Sequence, residues 1–465
     1  MSTNLQRAVA IIGGGPVGLA AAAHALERGL RPVVLEAGDR VGHAVRHWSH
    51  VRMFSPWRYN TDKASERLLR EGGWNSPDPD RYPTGGELVE HYLEPLATRT
   101  ALSPHIQTAA RVISVARTGF DKVRTAGRNK APFEVRYLNG RGPATVRTDA
   151  LIDASGTWFQ PNPAGANGIE AVGETENAGR IAYGMPDVLG SARRRYAGKT
   201  VAVLGSGHSA IGTILDLKRL QEDEPETQVI WLLRGDDPKK SFGGGASDQL
   251  AARGELGLAF AGIVRSGGVQ VEASFCLSHI TELGGRLRLG AGSASCGRHV
   301  LADELVVATG FRPDLSFLRE VRFALDPALE CPPTLAPLID PNVHSCGTVR
   351  PHGARELAQP EPGFYFAGMK SYGRAPTFLM TTGYEQVRSI VADIAGDREA
   401  AERVELVLPE TGVCSASVPA SGSGPASGSG PASGCCGGPA LANPSSCCSA
   451  DEDAKAQGKA GCGCR

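Results

Sequence analysis

The chain has 465 residues, enough at roughly 100–200 residues per domain for two to four domains and a large core. Lys+Arg and Asp+Glu number 49 each, and zero net charge argues against a protein held to nucleic acid or an anionic membrane by bulk charge. Hydrophobic residues make up 41% and charged residues 21%, as in an ordinary soluble protein; with no apolar run long enough to span a membrane and no signal segment at the N-terminus, the expected location is cytoplasmic.

The first element is a strand at Val9–Ile12 that runs into Gly13-Gly14-Gly15-Pro16-Val17-Gly18. This is G-x-G-x-x-G between a strand and a helix, expected over Val17–Arg28. Gly13 permits the tight turn, Gly15 admits a pyrophosphate to the backbone, and Gly18 lets helix and strand pack closely. Pro16 suits the first helical position. The next strand, Pro32–Leu35, ends at Glu36, 18 residues after Gly18. A carboxylate there can accept hydrogen bonds from a ribose. Trp57 follows in a loop and is a candidate to line a flavin pocket or simply to pack. A helix is expected over Gly86–Arg99. The strand Ala150–Ala154 ends in Ser155-Gly156.

The pattern returns at a strand over Thr200–Leu204, followed by Gly205-Ser206-Gly207-His208-Ser209-Ala210. This G-x-G-x-x-A again precedes a helix, Ala210–Gln221. His208 lies at the phosphate turn, as cofactor contact or structural residue. The following strand, Val229–Leu233, ends in Arg234. A guanidinium can pair with a 2′-phosphate that a carboxylate would repel, so this site suits NADPH better than NADH; the alternative is a solvated surface charge. Strand Glu304–Ala308 leads to Thr309-Gly310, and strand Phe364–Ala367 to Gly368, Lys370 and Tyr372. Helix Thr381–Ala395 closes the body. Strands alternating with helices give an α/β class.

The final 57 residues contain no aromatic side chain and repeat ASGSGP at 420–425 and 426–431. Such a segment cannot offset its ordering entropy by burial. A flexible Gly/Ser/Pro/Ala linker is expected over 409–434 and a disordered Cys-rich tail over 435–465. Seven of the 11 cysteines lie in the last 52 residues. Cys435, Cys436, Cys447, Cys448, Cys462 and Cys464 are candidate ligands for a soft metal or metalloid ion, because thiolates select soft species; a solvated appendage is the alternative. The four body cysteines, Cys276, Cys296, Cys331 and Cys346, form no C-x-x-C pair. Cys346, between His344 and His352, is either a reactive thiolate or an inert buried thiol.

Over roughly residues 5–400 the chain resembles flavin-dependent monooxygenases of the flavin-containing, class B type. The segments around Gly156 and Gly310 resemble the crossover segments of that superfamily, and Gly363–Gly368 resembles its third FAD segment. Within the group, SCGTVRPHGAR (345–355) and MKSYGRAPTFLMTTGYEQ (369–386) look most like the flavoproteins of arsenic-resistance gene clusters. The fingerprint F-x-G-x-x-x-H-x-x-x-W/D is absent; that region reads IAYGMPDV (181–188). The resemblance implies two Rossmann-like domains: an FAD domain over 1–190 and 311–408, with an NAD(P)H domain inserted over 191–310. It implies an enzyme, an FAD-dependent NADPH oxidoreductase that oxygenates a soft nucleophilic heteroatom of a small-molecule substrate with O2, trivalent arsenic included. The alternatives are a flavin-dependent reductase of a thiol-bound ion fed by the tail, and a non-catalytic metalloid-binding flavoprotein. Cys346, Lys370 and Tyr372 are the candidate catalytic residues. The sequence carries no signal for oligomeric state.

Overall fold

The computed structural model describes residues 6–243, 251–292, 297–342, 349–376 and 378–406, all within the unit Met1–Ala416. Cys296, Cys346 and every cysteine of the tail lie outside the described residues, as do the expected linker and tail.

Among the described residues the strands are β1 Ala8–Ile12, β2 Arg31–Leu35, β3 Ile106–Gln107, β4 Arg111–Arg117, β5 Phe133–Asn139, β6 Gly142–Thr148, β7 Ala150–Asp153, β8 Ile181–Tyr183, β9 Thr200–Leu204, β10 Gln228–Leu232, β11 Gln270–Glu272, β12 Leu277–Leu283, β13 Arg286–Ala291, β14 Arg298–Ala302, β15 Glu304–Val307 and β16 Phe364–Phe366. The helices that matter for the site are α1 Pro16–Glu27, α2 Lys63–Glu71, α3 His208–Asp223, α4 Ala251–Arg265 and α5 Met380–Ala395.

Two parallel sheets result, in orders β16-β7-β1-β2-β3 and β11-β10-β9-β15-β8. The expected α/β class with two Rossmann-like halves is therefore the observed one. Each parallel sheet is buried on both faces, and successive side chains of a strand point to opposite faces. In β1, Val9 and Ile11 join the core shared with α1 and α5, while Ala10 and Ile12 join a second core with β4, β5 and β6. In β9, Val201 and Val203 face α3 and α4, while Ala202 and Leu204 face β12, β13 and β14. Each half is thus helices on one face and a three-stranded antiparallel sheet on the other.

The helix expected over Gly86–Arg99 is interrupted. It is α-helical over Gly85–Leu88, widens to a π turn over Val89–Leu93 and resumes over Glu94–Thr98. Pro95 has no N–H to give the carbonyl of His91. The Trp74 Nε1–H donates to that carbonyl instead, at 2.7 Å. Among the described residues no helix is long and apolar enough to cross a membrane.

Candidate functional site

At the first turn Gly13 has φ +104°, and a Cβ there would lie 2.7 Å from the Ala154 carbonyl oxygen. A Cβ on Gly18 would come within 1.9 Å of the Gly13 carbonyl oxygen. These two glycines are required by the backbone. Gly15 is different: a Cβ there meets nothing within 4 Å. The space in front of the turn is open, and α1 begins there at Pro16 with no side chain capping its N–H groups. Uncapped donors at a positive dipole end suit a phosphate. Glu36, just past β2, is buried; Oε2 accepts from Gly14 N at 2.6 Å and Oε1 from Gly38 N at 2.8 Å. A carboxylate has about four lone-pair sites, so acceptor capacity remains for ribose hydroxyls.

The second turn repeats the construction. Gly205 has φ +136° and its Cβ would lie 2.4 Å from the Ala308 carbonyl oxygen. Gly207 again has open space around it, and α3 starts without a side-chain cap. Ala210, fully buried, takes the third glycine's place. The His208 ring lies 5.5 Å from Phe54, which joins this turn to a loop of the first half. Arg234 is exposed, and its Nη1 donates to the Ala166 carbonyl at 3.1 Å. Nearby Lys240 pairs with Asp236 at 3.3 Å. Each turn thus combines jammed glycines with an open one beside uncapped donors, and each fits a dinucleotide.

Gly156 and Gly310 lie on the two stretches that cross between the sheets, with φ +69° and +89°. The two stretches touch: Trp158 stacks on Phe311 at 4.9 Å, and Asn162 Nδ2 donates to the Thr309 carbonyl at 3.0 Å. Gly368 packs against Val17 of α1, and its N–H donates to Gln386 Oε1 at 2.8 Å. Gln386 Nε2 in turn donates to Ser371 Oγ and His352 Nε2, at 2.9 and 2.8 Å. The other nitrogen, Nδ1, lies 2.9 Å from the Arg350 carbonyl. That carbonyl can only accept, so the proton sits on Nδ1 and Nε2 accepts. Burial lowers the pKa of His352 and keeps the ring neutral.

Lys370 is buried and ion-paired with Asp153 at 2.9 Å. Tyr372 is buried, and its hydroxyl has no hydrogen-bond partner among the described residues. Burial, then the neighbouring Cys331, pushes its phenol far up. Burial, then Asp326, pushes the Cys331 thiol up to about 12, so it is no nucleophile near neutral pH. Trp57 is 1% exposed with an unpartnered Nε1. It lines a cavity of about 950 Å³ together with His24, Glu27 and Arg28 from the C-terminal end of α1. The Gly15 turn stands at the opposite end of that helix, about 18 Å away at 1.5 Å per residue. Among the described residues no cluster of three or more His, Cys, Asp or Glu could hold a metal.

Asp153, Ser155, His352, Ser371 and Gln386 lie within segments the sequence singled out, but that they form hydrogen-bonded polar sets did not follow from it. The available signal was chemical: Asp153 ends an apolar strand, and Gln386 interrupts the apolar face of α5. Such residues need partners when buried.

Residues 10–335 match the family model described as pyridine nucleotide-disulphide oxidoreductase. Bacilliredoxin reductase Bdr of Bacillus subtilis is 22% identical over 324 residues, covering 69% of this chain and 82% of that protein. A flavin-containing monooxygenase of Arabidopsis thaliana, FMO GS-OX-like 2, is 23% identical over 240 residues, covering 47% and 48%. The solved bacillithiol disulfide reductase Bdr of Bacillus cereus superposes with a TM-score of 0.60 at 21% identity, covering 84% of this chain and 99% of its own.

Proposed function

We propose, for a chain that belongs to the pyridine nucleotide-disulphide oxidoreductase family, that this FAD-dependent enzyme takes its electrons from NADPH and oxygenates a soft nucleophilic heteroatom, trivalent arsenic in the first place. The overall balance is NADPH, a proton, O2 and substrate to NADP⁺, water and oxidised substrate. The observation that carries the cofactor half is the matched pair of open glycines, Gly15 and Gly207, each beside uncapped helix donors. FAD supplies hydride acceptance and the reaction with O2.

The chain's own residues hold and orient. Glu36 offers its spare acceptor sites to the adenosine ribose of FAD. Arg234 offers a cation to the 2′-phosphate of NADPH. The Gly368–Gln386–His352 chain of hydrogen bonds fixes the turn after β16. No thiol pair in the body is needed, consistent with scattered body cysteines and a high Cys331 pKa. The arsenic context rests on the resemblance of segments 345–355 and 369–386 and on the soft-ion capacity of the tail thiols.

The test is the ratio of oxidised substrate to NADPH consumed, with arsenite as substrate. A ratio near one is expected; complete conversion of O2 to free peroxide with every substrate overturns oxygenation. The tail's six cysteines favour a second reading, reduction of a thiol-bound ion. Truncation after Leu408 separates the two. Oxygenation at saturating arsenite survives the truncation, whereas an obligatory thiol relay does not.

A further inference from the structure

The chain crosses between the two sheets twice, leaving the first after Asp153 and returning from the second after Val307. One side chain fastens both crossings. Lys370 Nζ lies 2.9 Å from Asp153 Oδ2, donates to Ser155 Oγ at 2.9 Å on the outgoing stretch, and donates to the Asp314 carbonyl at 2.6 Å on the returning one. Of the three N–H donors of the ammonium, two go to Ser155 Oγ and the Asp314 carbonyl, and the Asp153 carboxylate faces it as counter-charge, its Oδ2 at ion-pair distance without hydrogen-bond geometry. The Phe317 ring covers it at 4.8 Å. Both charged side chains are 0% exposed. Asp153 Oδ1 accepts from the N–H and the hydroxyl of Ser155, at 3.1 and 2.7 Å.

The same stretch bears on the first nucleotide turn. Ala154 O and Ser155 Cα are the atoms that would meet a Cβ on Gly13, at 2.7 and 2.9 Å. The outgoing crossing thus lies directly against the first turn. A fully buried lysine held by two acceptors and a counter-charge is badly placed to exchange protons with a substrate. It is well placed to hold three segments at one point.

We propose that Lys370 is a positioning residue: it pins both crossings and so sets the relation of the two sheets at which nicotinamide and flavin meet. The inference rests on the proposed transfer from NADPH to FAD.

The test uses the full-length holoenzyme and the K370M/D153N variant, which removes both charges and strands neither. Three readouts are taken: deuterium uptake of peptides covering 154–162 and 308–316, anaerobic flavin reduction by NADPH, and photoreduction by an external donor. Uptake is expected to accelerate about tenfold in both peptides. Reduction at saturating NADPH slows by about tenfold or more, with half-saturation, flavin content and photoreduction unchanged. Loosening of one crossing only, or an unchanged reduction rate in a flavin-loaded variant, overturns the pin. S155A, which removes one acceptor, repeats the test at about two- to threefold in uptake and rate should the double variant not fold. If neither NADPH nor NADH reduces the wild-type flavin, the cofactor reading fails. The deuterium readout then still decides the pin, which stands if both crossings loosen together and falls if they stay protected.

Discussion

Glu36 and Arg234 stand in corresponding places, just past the strand that follows each glycine turn and its helix, and they are held differently. Glu36 is buried and bonded to two backbone N–H groups, whereas Arg234 is exposed and gives one hydrogen bond to a loop carbonyl. The contrast extends to the ion pairs. Around the first sheet the pairs Arg117–Glu361, Arg128–Glu361, His24–Asp62 and Lys370–Asp153 are buried, beside exposed pairs such as Arg40–Glu94 and Arg67–Glu27. Around the second, Arg193–Asp223, Arg195–Glu304 and Arg298–Glu272 reach solvent. Exposed pairs contribute little, while a buried pair fixes geometry at the cost of desolvation. The first half is built as a fixed holder, as a resident cofactor requires. The second carries Arg234 at the surface, held by one hydrogen bond to the Ala166 carbonyl.

The largest effect that sharpens this contrast is expected at Glu361. Burial pushes its carboxyl up, but Arg128, Arg117 and the Arg322 N–H more than offset this, and its pKa lies below the usual value. E361Q leaves two buried guanidinium groups without a counter-charge and should destabilise by about 3–5 kcal/mol. E272Q on the second half should cost at most about 1 kcal/mol. Urea midpoints of the two variants check this, and equal midpoints break the contrast.

The glycines give a second comparison. G18A drives a methyl to 1.9 Å from backbone and should cost about 3 kcal/mol or more and lose the flavin. G207A enters open space, so stability should change by less than about 0.5 kcal/mol while the half-saturation for NADPH rises about tenfold. Flavin content and steady-state kinetics separate the two. A third, smaller effect is expected at Arg234. R234A should weaken NADPH by about tenfold to a hundredfold and leave NADH unchanged, as parallel titrations of flavin reduction will read. Equal losses for both nucleotides would remove Arg234 from specificity.

Seven of the ten parallel strands were legible because each is a short apolar run, five of them leading into a glycine turn, whereas β3, β8 and β11, only two or three residues long, were missed. The seven strands expected along the body match β1, β2, β7, β9, β10, β15 and β16 to within a residue at each end. The antiparallel sheets β4–β6 and β12–β14 were missed. Their alternation is blurred, as in Arg111–Arg117, where Ile113 is exposed, Arg117 is buried in an ion pair and the burial of Val115 depends on a distant partner sheet. The π turn at Val89–Leu93 was missed because the compensating donor, Trp74, lies 17 residues before His91. The polar set around Gly368 was hidden for the same reason: Gln386, His352 and Ser371 meet only once α5 has packed on α1.

The smallest expected effect concerns that set. Burial lowers the pKa of His352 from the usual 6.5, and Gln386 already donates to its Nε2 at 2.8 Å. A proton on Nε2 would set donor against donor. The unfolded chain therefore takes up this proton first as pH falls. Stability is complete above pH 6.5 and declines by up to about 1.4 kcal/mol per pH unit until the folded ring also protonates. Asp62 and Glu361, whose values are also depressed, lose their contributions only at lower pH, in the carboxylate range. Between pH 7.5 and 5.5 the wild type should lose more stability than H352Q, whose amide does not titrate. Urea unfolding at the two pH values measures the difference. Equal slopes would mean that the fixed character of the first half does not depend on a neutral imidazole beneath Gly368, and would leave the buried ion pairs as its sole source.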